Sequence, residues 1–304
     1  MGALQRGRQA ERADEALRTV SASNPVENLS SPPAWAPLPG RVAARAAIRR
    51  ARARSRLHWP LPWLFPVTLL GLWALTARRG WVAPQILPAP AVVFDTALSM
   101  LKSGELWANL RPSLTRVSLG FGCAALLGVG GGALLGLSRA ASAIATPIFR
   151  AYAQIPVVAW VPLGILLLGI EEKLLVALIA SAAVVPVLLN THQGVQGISP
   201  QLVEVARVYG RRGPRLLWAV APAALPSVLT GLRFGLAQAW LTLVAAELIG
   251  TTEGMGYLIV EARELFQLDV VLAAIGTLAL TGILLDRLFA LVEARLLAWR
   301  PAGF

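Results

Sequence analysis

From residue 60 onward, long apolar blocks alternate with short polar stretches, the blocks falling at about 60–77, 113–137, 147–170, 174–190, 226–249 and 270–298. Each approaches the ~20 residues that an α-helix needs to cross a hydrocarbon core of ~30 Å. Strands of a membrane barrel would alternate apolar and polar residues, and these blocks do not. The pattern predicts an all-α membrane protein with six transmembrane helices.

Features inside the blocks refine this picture. The second block holds Gly120, Gly122, Gly128, Gly130, Gly131, Gly132 and Gly136. Small residues let helix backbones approach closely in lipid, so this block is expected to be a packed, interior helix. Pro156 and Pro162 in the third block and Pro186 in the fourth are expected to kink their helices, either as part of a gate or as plain structure. Arg233 and Glu247 lie in the fifth block, too far apart to pair within one helix. Glu247 is read as the only carboxylate well inside a span. Ionisable residues inside membrane spans are functional candidates, so both are open to two readings: structural anchors, or members of a translocation path. The single cysteine, Cys123, is expected to be a buried thiol in its apolar run.

Composition agrees with a membrane protein: 56% hydrophobic and 14% charged residues, with a mean hydropathy of +0.62. The net charge of +12 (28 Lys+Arg against 16 Asp+Glu) would suggest nucleic acid in a soluble protein. Here much of it lies in the first 60 residues and in short loops, which fits orientation in the bilayer and attraction to anionic lipid headgroups. No nucleic-acid partner is expected. Residues 1–56 read as a basic, disordered cytoplasmic tail, with a Ser/Asn/Pro cluster at 21–39 and a run from Arg41 to Arg56. The remainder, 57–304, reads as one transmembrane domain. Arginines in the 138–150 and 191–225 loops place these inside, with both termini; the 171–173 turn and the acidic 250–269 loop belong outside. The 78–112 loop, with Arg78, Arg79, Lys102 and Arg111, counts the other way.

Enzymatic signatures are missing. Neither Lys102 nor Lys173 follows a glycine, so there is no phosphate-binding G-x-x-x-x-G-K-[ST] loop. His58 and His192 lack the neighbours of a zinc site, and no nucleophile-elbow G-x-S-x-G occurs. The chain is therefore expected to hold no metal and no cofactor and to catalyse no reaction. What stands out is the loop from 197 to 225. Ser199 fits a helix N-cap and Pro200 a first helical residue. Leu202, Val203, Ala206 and Tyr209 recur at helical spacing to give one apolar face. Gly210 then permits the left-handed conformation that ends a helix. Such an element either rests on lipid or docks on a soluble protein; its short length and Glu204, which would face anionic headgroups, favour a protein.

Glu204-Val205-Ala206, three residues, Gly210, nine residues and Val220 resemble the EAA signature of binding-protein-dependent ABC importer permeases. That signature ends in I-x-L-P, whereas Val220-Ala221-Pro222 closes one residue early and Leu225-Pro226 follows. From about Trp63 to Pro301 the chain also resembles the sulfonate/nitrate/taurine branch. The resembling segments are Ile86–Pro90, Ser103–Trp107, Ile155–Leu163, Gly231-Leu232-Arg233, Ala246–Gly250 and Leu296–Trp299; the last two, with Gly254–Leu258, are most like aliphatic sulfonate permeases. The resemblance implies a type I ABC importer fold in the cell (inner) membrane, working as a homodimer. It implies that Glu204, Ala206, Tyr209, Gly210 and Arg211 belong to a coupling helix seated on a separate cytoplasmic ATPase subunit. That subunit binds the ATP, and a periplasmic binding protein delivers the substrate. Arg233, Glu247, Pro156 and Pro162 remain candidates for the path or its anchoring.

The substrate class expected is aliphatic sulfonates or a related small oxyanion, with nitrate, taurine, bicarbonate or a pyrimidine precursor as alternatives. A secondary transporter would show an internal repeat and membrane-embedded carboxylates, and no clear repeat is found. A structural or enzyme-assembly membrane protein would not need the 199–226 insert.

Overall fold

The computed structural model describes residues 61–83 and 85–299. The basic tail at 1–56 and its arginine run lie outside the described residues. The chain divides into a unit of residues 1–69 and a unit of residues 70–304. In the first, the described part is the opening of helix α1 (Leu61–Arg79). Among the described residues there is no strand.

Among the described residues of the second unit, nine further α-helices follow α1: α2 (Pro90–Ser103), α3 (Glu105–Leu137), α4 (Arg139–Tyr152), α5 (Val161–Leu168), α6 (Glu172–Gln196), α7 (Pro200–Val208), α8 (Pro214–Gly250), α9 (Met255–Glu264) and α10 (Leu268–Leu296). A 3-10 turn, Val157–Trp160, lies between α4 and α5. α3, α6, α8 and α10 are each long and apolar enough to cross a membrane. The expected third span is not one straight helix. α4 and the Val157–Leu168 segment meet at 88°, so together they make at most one broken span. Proline explains the break: the residue before Pro156 is disfavoured in the α conformation, and Pro162 suits only a first helical turn. The expected first span falls on α1, which is outside the set of four.

At 33 and 37 residues, α3 and α8 measure ~50 and ~55 Å. Both therefore overrun a hydrocarbon core of ~30 Å. The overrun swallows parts of the expected loops: α3 begins at Glu105 and not near 113, and α8 begins at Pro214, so Pro222 and Pro226 lie inside a helix. α2 and α9 are short helices where loops were expected.

Helix α6 is the centre of the bundle. Gly120, Gly128, Gly132 and Gly136 of α3 recur at intervals of four or eight, and a methyl on them would come within 2.5–2.7 Å of Ile179, Val187, the Leu188 carbonyl and Val195. On the other side, Gly231 and Gly235 of α8 press on Asn190 and Val187 in the same way. α6 is thus held between two glycine-bearing helices at backbone distance. The expectation of a fully interior second helix holds for one face only. Leu119, Leu126, Leu127 and Leu134 of α3 are exposed, and so is Cys123, which points away from the glycine stripe and is not a buried thiol. Val117, Ala124, Ile179, Ala183, Ala239 and Leu243 fill the α3–α6–α8 core. A second core joins Met100, Leu106, Met255, Leu258, Ala274 and Leu278 from α2, α3, α9 and α10.

Candidate functional site

Four places carry polar chemistry, and the sequence-predicted residues divide among them. At the junction of α3, α6 and α8, Arg116 is 2% exposed and uses all five of its guanidinium N–H donors. Nη1 donates to Glu247 Oε1 at 2.8 Å and to the Glu253 carbonyl at 2.9 Å. Nε donates to Glu172 Oε2 at 2.8 Å, and Nη2 to Glu172 Oε1 and to Glu253 Oε1. Glu247, also buried, accepts from Ser113 Oγ at 2.7 Å and from the Gly256 N–H at 2.9 Å. Ser113 Oγ in turn accepts from the Met255 N–H. Every donor and acceptor is matched, which is the condition for a buried ion pair to be tolerated. Gly254 closes the site with φ +116°, and a Cβ there would stand 2.5 Å from Glu247 Oε1. Both carboxylate oxygens of Glu247 are thus bonded within the bundle. Arg116 was not singled out in the sequence because it sits in a Gly/Leu-rich block.

Arg233 takes a different partner. Its Nε and Nη2 bond both carboxylate oxygens of Asp286 on α10 at 2.8 and 2.9 Å, with Glu293 at 3.7 Å. Glu247 is therefore not the only carboxylate well inside a span: Asp286 lies in α10. This pair is about half exposed.

The third place is α7 and its flanks. Ser199 Oγ accepts from the Leu202 N–H and Pro200 opens the helix, as the sequence indicates. The helix closes with the Gly210 N–H on the Arg207 carbonyl and the Arg211 N–H on the Ala206 carbonyl, with Gly210 at φ +73°. This is the Schellman arrangement, which a Cβ would strain. The single expected apolar face is divided. Val203 and Ala206 are half-buried and α7 packs lightly on α8, whereas Val205, Val208, Tyr209 and Trp218 are exposed, Tyr209 to 81%. Glu204, Gly210 and Arg211 are exposed as well. At the root of the element, Ser142 Oγ lies 2.7 Å from His192 Nε2 and accepts from Gln196 Nε2, tying α4 to α6.

The fourth is a groove of about 470 Å³ between the end of α4, the 3-10 turn, α6 and α8. Pro156 lines it and Pro162 does not. Beyond the groove, the acidic α9 segment raises the Tyr257 phenol above its usual range, chiefly through Glu261.

Residues 125–298 match the binding-protein-dependent transport system inner membrane component family. The chain belongs to this family. It is 39% identical to an Escherichia coli protein that carries the name aliphatic sulfonates transport permease protein SsuC, over 79% of this chain and 92% of that protein. The taurine transport system permease protein TauC of Escherichia coli is 35% identical, over 80% of this chain and 94% of that protein. The bicarbonate transport system permease protein CmpB of Synechococcus elongatus is 36% identical, over 64% and 70%. The chain is thus an ABC importer permease, an integral inner-membrane protein of the type I fold, in the branch that the sequence motifs indicated.

Proposed function

We propose that this permease carries aliphatic sulfonates, or a closely related small oxyanion, across the inner membrane, and that its exposed α7 element couples it to a separate ATPase subunit. The observation that carries the coupling reading is the α7 surface. The capped helix presents Val205, Val208 and its C-cap Tyr209 outward, and Trp218 of the first turns of α8 is exposed as well, with no described residue covering them. Apolar side chains beside Glu204, Arg207, Arg211 and Arg212 suit a groove on a soluble protein better than a lipid surface. ATP is then bound by the partner, and no cofactor or catalytic step is assigned to this chain. The sulfonate reading rests on the relatives' names and their coverage of the chain.

The permease works as a pair of identical chains with a periplasmic binding protein on the outer face. Support for a second copy comes from the middle of α8, where the Arg233–Asp286 pair and Phe234 are exposed together. A charged side chain at the bilayer centre costs about 3 kcal/mol, so this face suits water or another chain. The basic loops place both termini and α7 on the cytoplasmic side. In intact cells, a cysteine replacing Arg212 is expected to resist a membrane-impermeant maleimide until the membrane is opened. Labelling from outside would reverse the orientation.

The coupling test uses proteoliposomes with the cognate ATPase and binding protein, measuring uptake of ethanesulfonate, taurine and bicarbonate. Gly210→Glu is expected to leave insertion intact and to uncouple ATP hydrolysis from uptake, because a side chain at φ +73° opens the helix end that presents the element. Normal uptake by this variant would remove the coupling role.

A further inference from the structure

The groove between α4, the 3-10 turn, α6 and α8 has a polar content that the coupling and anchoring residues do not share. None of its lining residues is charged. Tyr152, Ser181, Gln238 and Thr242 are its side chains with hydrogen-bonding groups. The Ser181 hydroxyl already donates to the Leu178 carbonyl at 2.8 Å. Tyr152, Gln238 and Thr242 make no side-chain hydrogen bond to any described residue, and of these Gln238 and Thr242 share one helix, α8. Thr242 shares this with Thr146 and Thr191, whose hydroxyls are buried without a partner, but unlike them it lines the groove. Thr115, Thr230, Thr277 and Thr281 each donate to the carbonyl four residues back at 2.8–2.9 Å, the ordinary way a helical threonine hides its hydroxyl. Thr242 leaves the Gln238 carbonyl alone, and its hydroxyl opens on the groove.

Gln238 and Thr242 are four residues apart on α8, so their side chains lie on one face in successive turns. Together they offer the two N–H donors of an amide and one hydroxyl donor, partway along a helix that crosses the membrane. An amide without a partner at that depth is costly against lipid and useful against a polar solute. The absence of carboxylates spares an anion repulsion. The absence of a cation matters equally, because a transit site must hold its solute weakly enough to release it. Arg233, five residues earlier, is already held by Asp286 and Glu293. The volume of about 470 Å³ accommodates a small hydrated oxyanion.

We propose that Gln238 and Thr242 form a neutral donor pair that contacts the translocated oxyanion inside the groove. This rests on the oxyanion-importer reading above. The test uses the reconstituted transporter with its ATPase and binding protein, and ethanesulfonate, taurine and bicarbonate as probes. Gln238→Leu and Thr242→Val are each expected to slow uptake of the transported probe roughly 3–10-fold, the worth of one hydrogen bond, while binding-protein-stimulated ATP hydrolysis is unchanged. Gln238→Glu should slow uptake at least as much, by setting a negative charge against an anion, and Gln238→Asn should restore part of it. Full uptake by both Gln238→Leu and Gln238→Glu overturns the donor pair and leaves the importer reading standing. A parallel fall in ATP hydrolysis overturns it as well, by making the residues part of coupling. So does spontaneous disulfide linkage of two chains by Gln238→Cys in a Cys123→Ala background, which would make this a packing contact between copies. If the wild-type assembly moves none of the three probes, the importer reading fails and the pair falls with it.

Discussion

Arg116–Glu247 and Arg233–Asp286 are built from the same chemistry and both engage α8, about four turns apart, yet they stand in opposite surroundings. The first is closed: Arg116 is 2% exposed, Glu247 1%, and each of the guanidinium's five donors has an acceptor. The second is open, with roughly half of each side chain exposed and a third charge, Glu293, nearby. The difference lies in what each pair joins. Arg116, about three turns into α3, joins that helix to the start of α6, the last turns of α8 and the Glu253 carbonyl. Arg233 ties only α8 to α10. A closed pair with matched partners fixes a junction, whereas an open one leaves its helices separable and its face available to water or another chain.

The largest effect expected from breaking this contrast is Arg116→Met, which strands Glu247 as a buried, unpaired carboxylate. Removing one partner of such a pair costs about 3–5 kcal/mol, enough to lower the yield of folded protein and its Tm in detergent. A Tm within a degree of wild type would show that the junction is not a clamp. The double variant Arg116→Met/Glu247→Met should recover a good part of the loss, since apolar replacement of both partners removes the stranded charge. A double variant as unstable as the single one would assign the effect to Glu172 and Glu253 instead. The smallest effect is expected from Arg233→Gln, where solvent already screens the charges. Its Tm should move less than that of either Arg116 variant, and wild-type dependence on salt should come from this pair. A fall as large as that of Arg116→Met would erase the distinction.

Much of this was legible in the sequence wherever the signal is local. The long blocks gave α3, α6, α8 and α10, because twenty apolar residues admit few structures other than a spanning helix. Ser199, Pro200 and Gly210 marked the limits of α7, because capping is chemistry within a few residues. The ionic junction was not legible. Its members are separated by 56, 131 and 137 residues, and Glu172 and Glu253 look like ordinary loop charges when read alone. α2 and α9 were hidden by their mixed composition, and the 88° break between α4 and the following segment depends on where Pro156 falls relative to its neighbours. Cys123 was misplaced because an apolar run does not say which way each side chain points. Gln238 and Thr242 were passed over for a related reason: a lone amide or hydroxyl in a span draws notice only when its lack of a partner is visible.

The long separations at the Arg116 junction also set an order of assembly. A chain made from its N-terminus puts Arg116 into the membrane before any of its three counter-ions exists. Glu172 follows 56 residues later and Glu247 only after 131. Until α8 is in place, Glu172 is the carboxylate on hand to neutralise the arginine. The glycine face of α3 can receive α6 in that same interval. The helix pair α3–α6 is thus the natural first product of insertion, and α8 is the bolt that closes it.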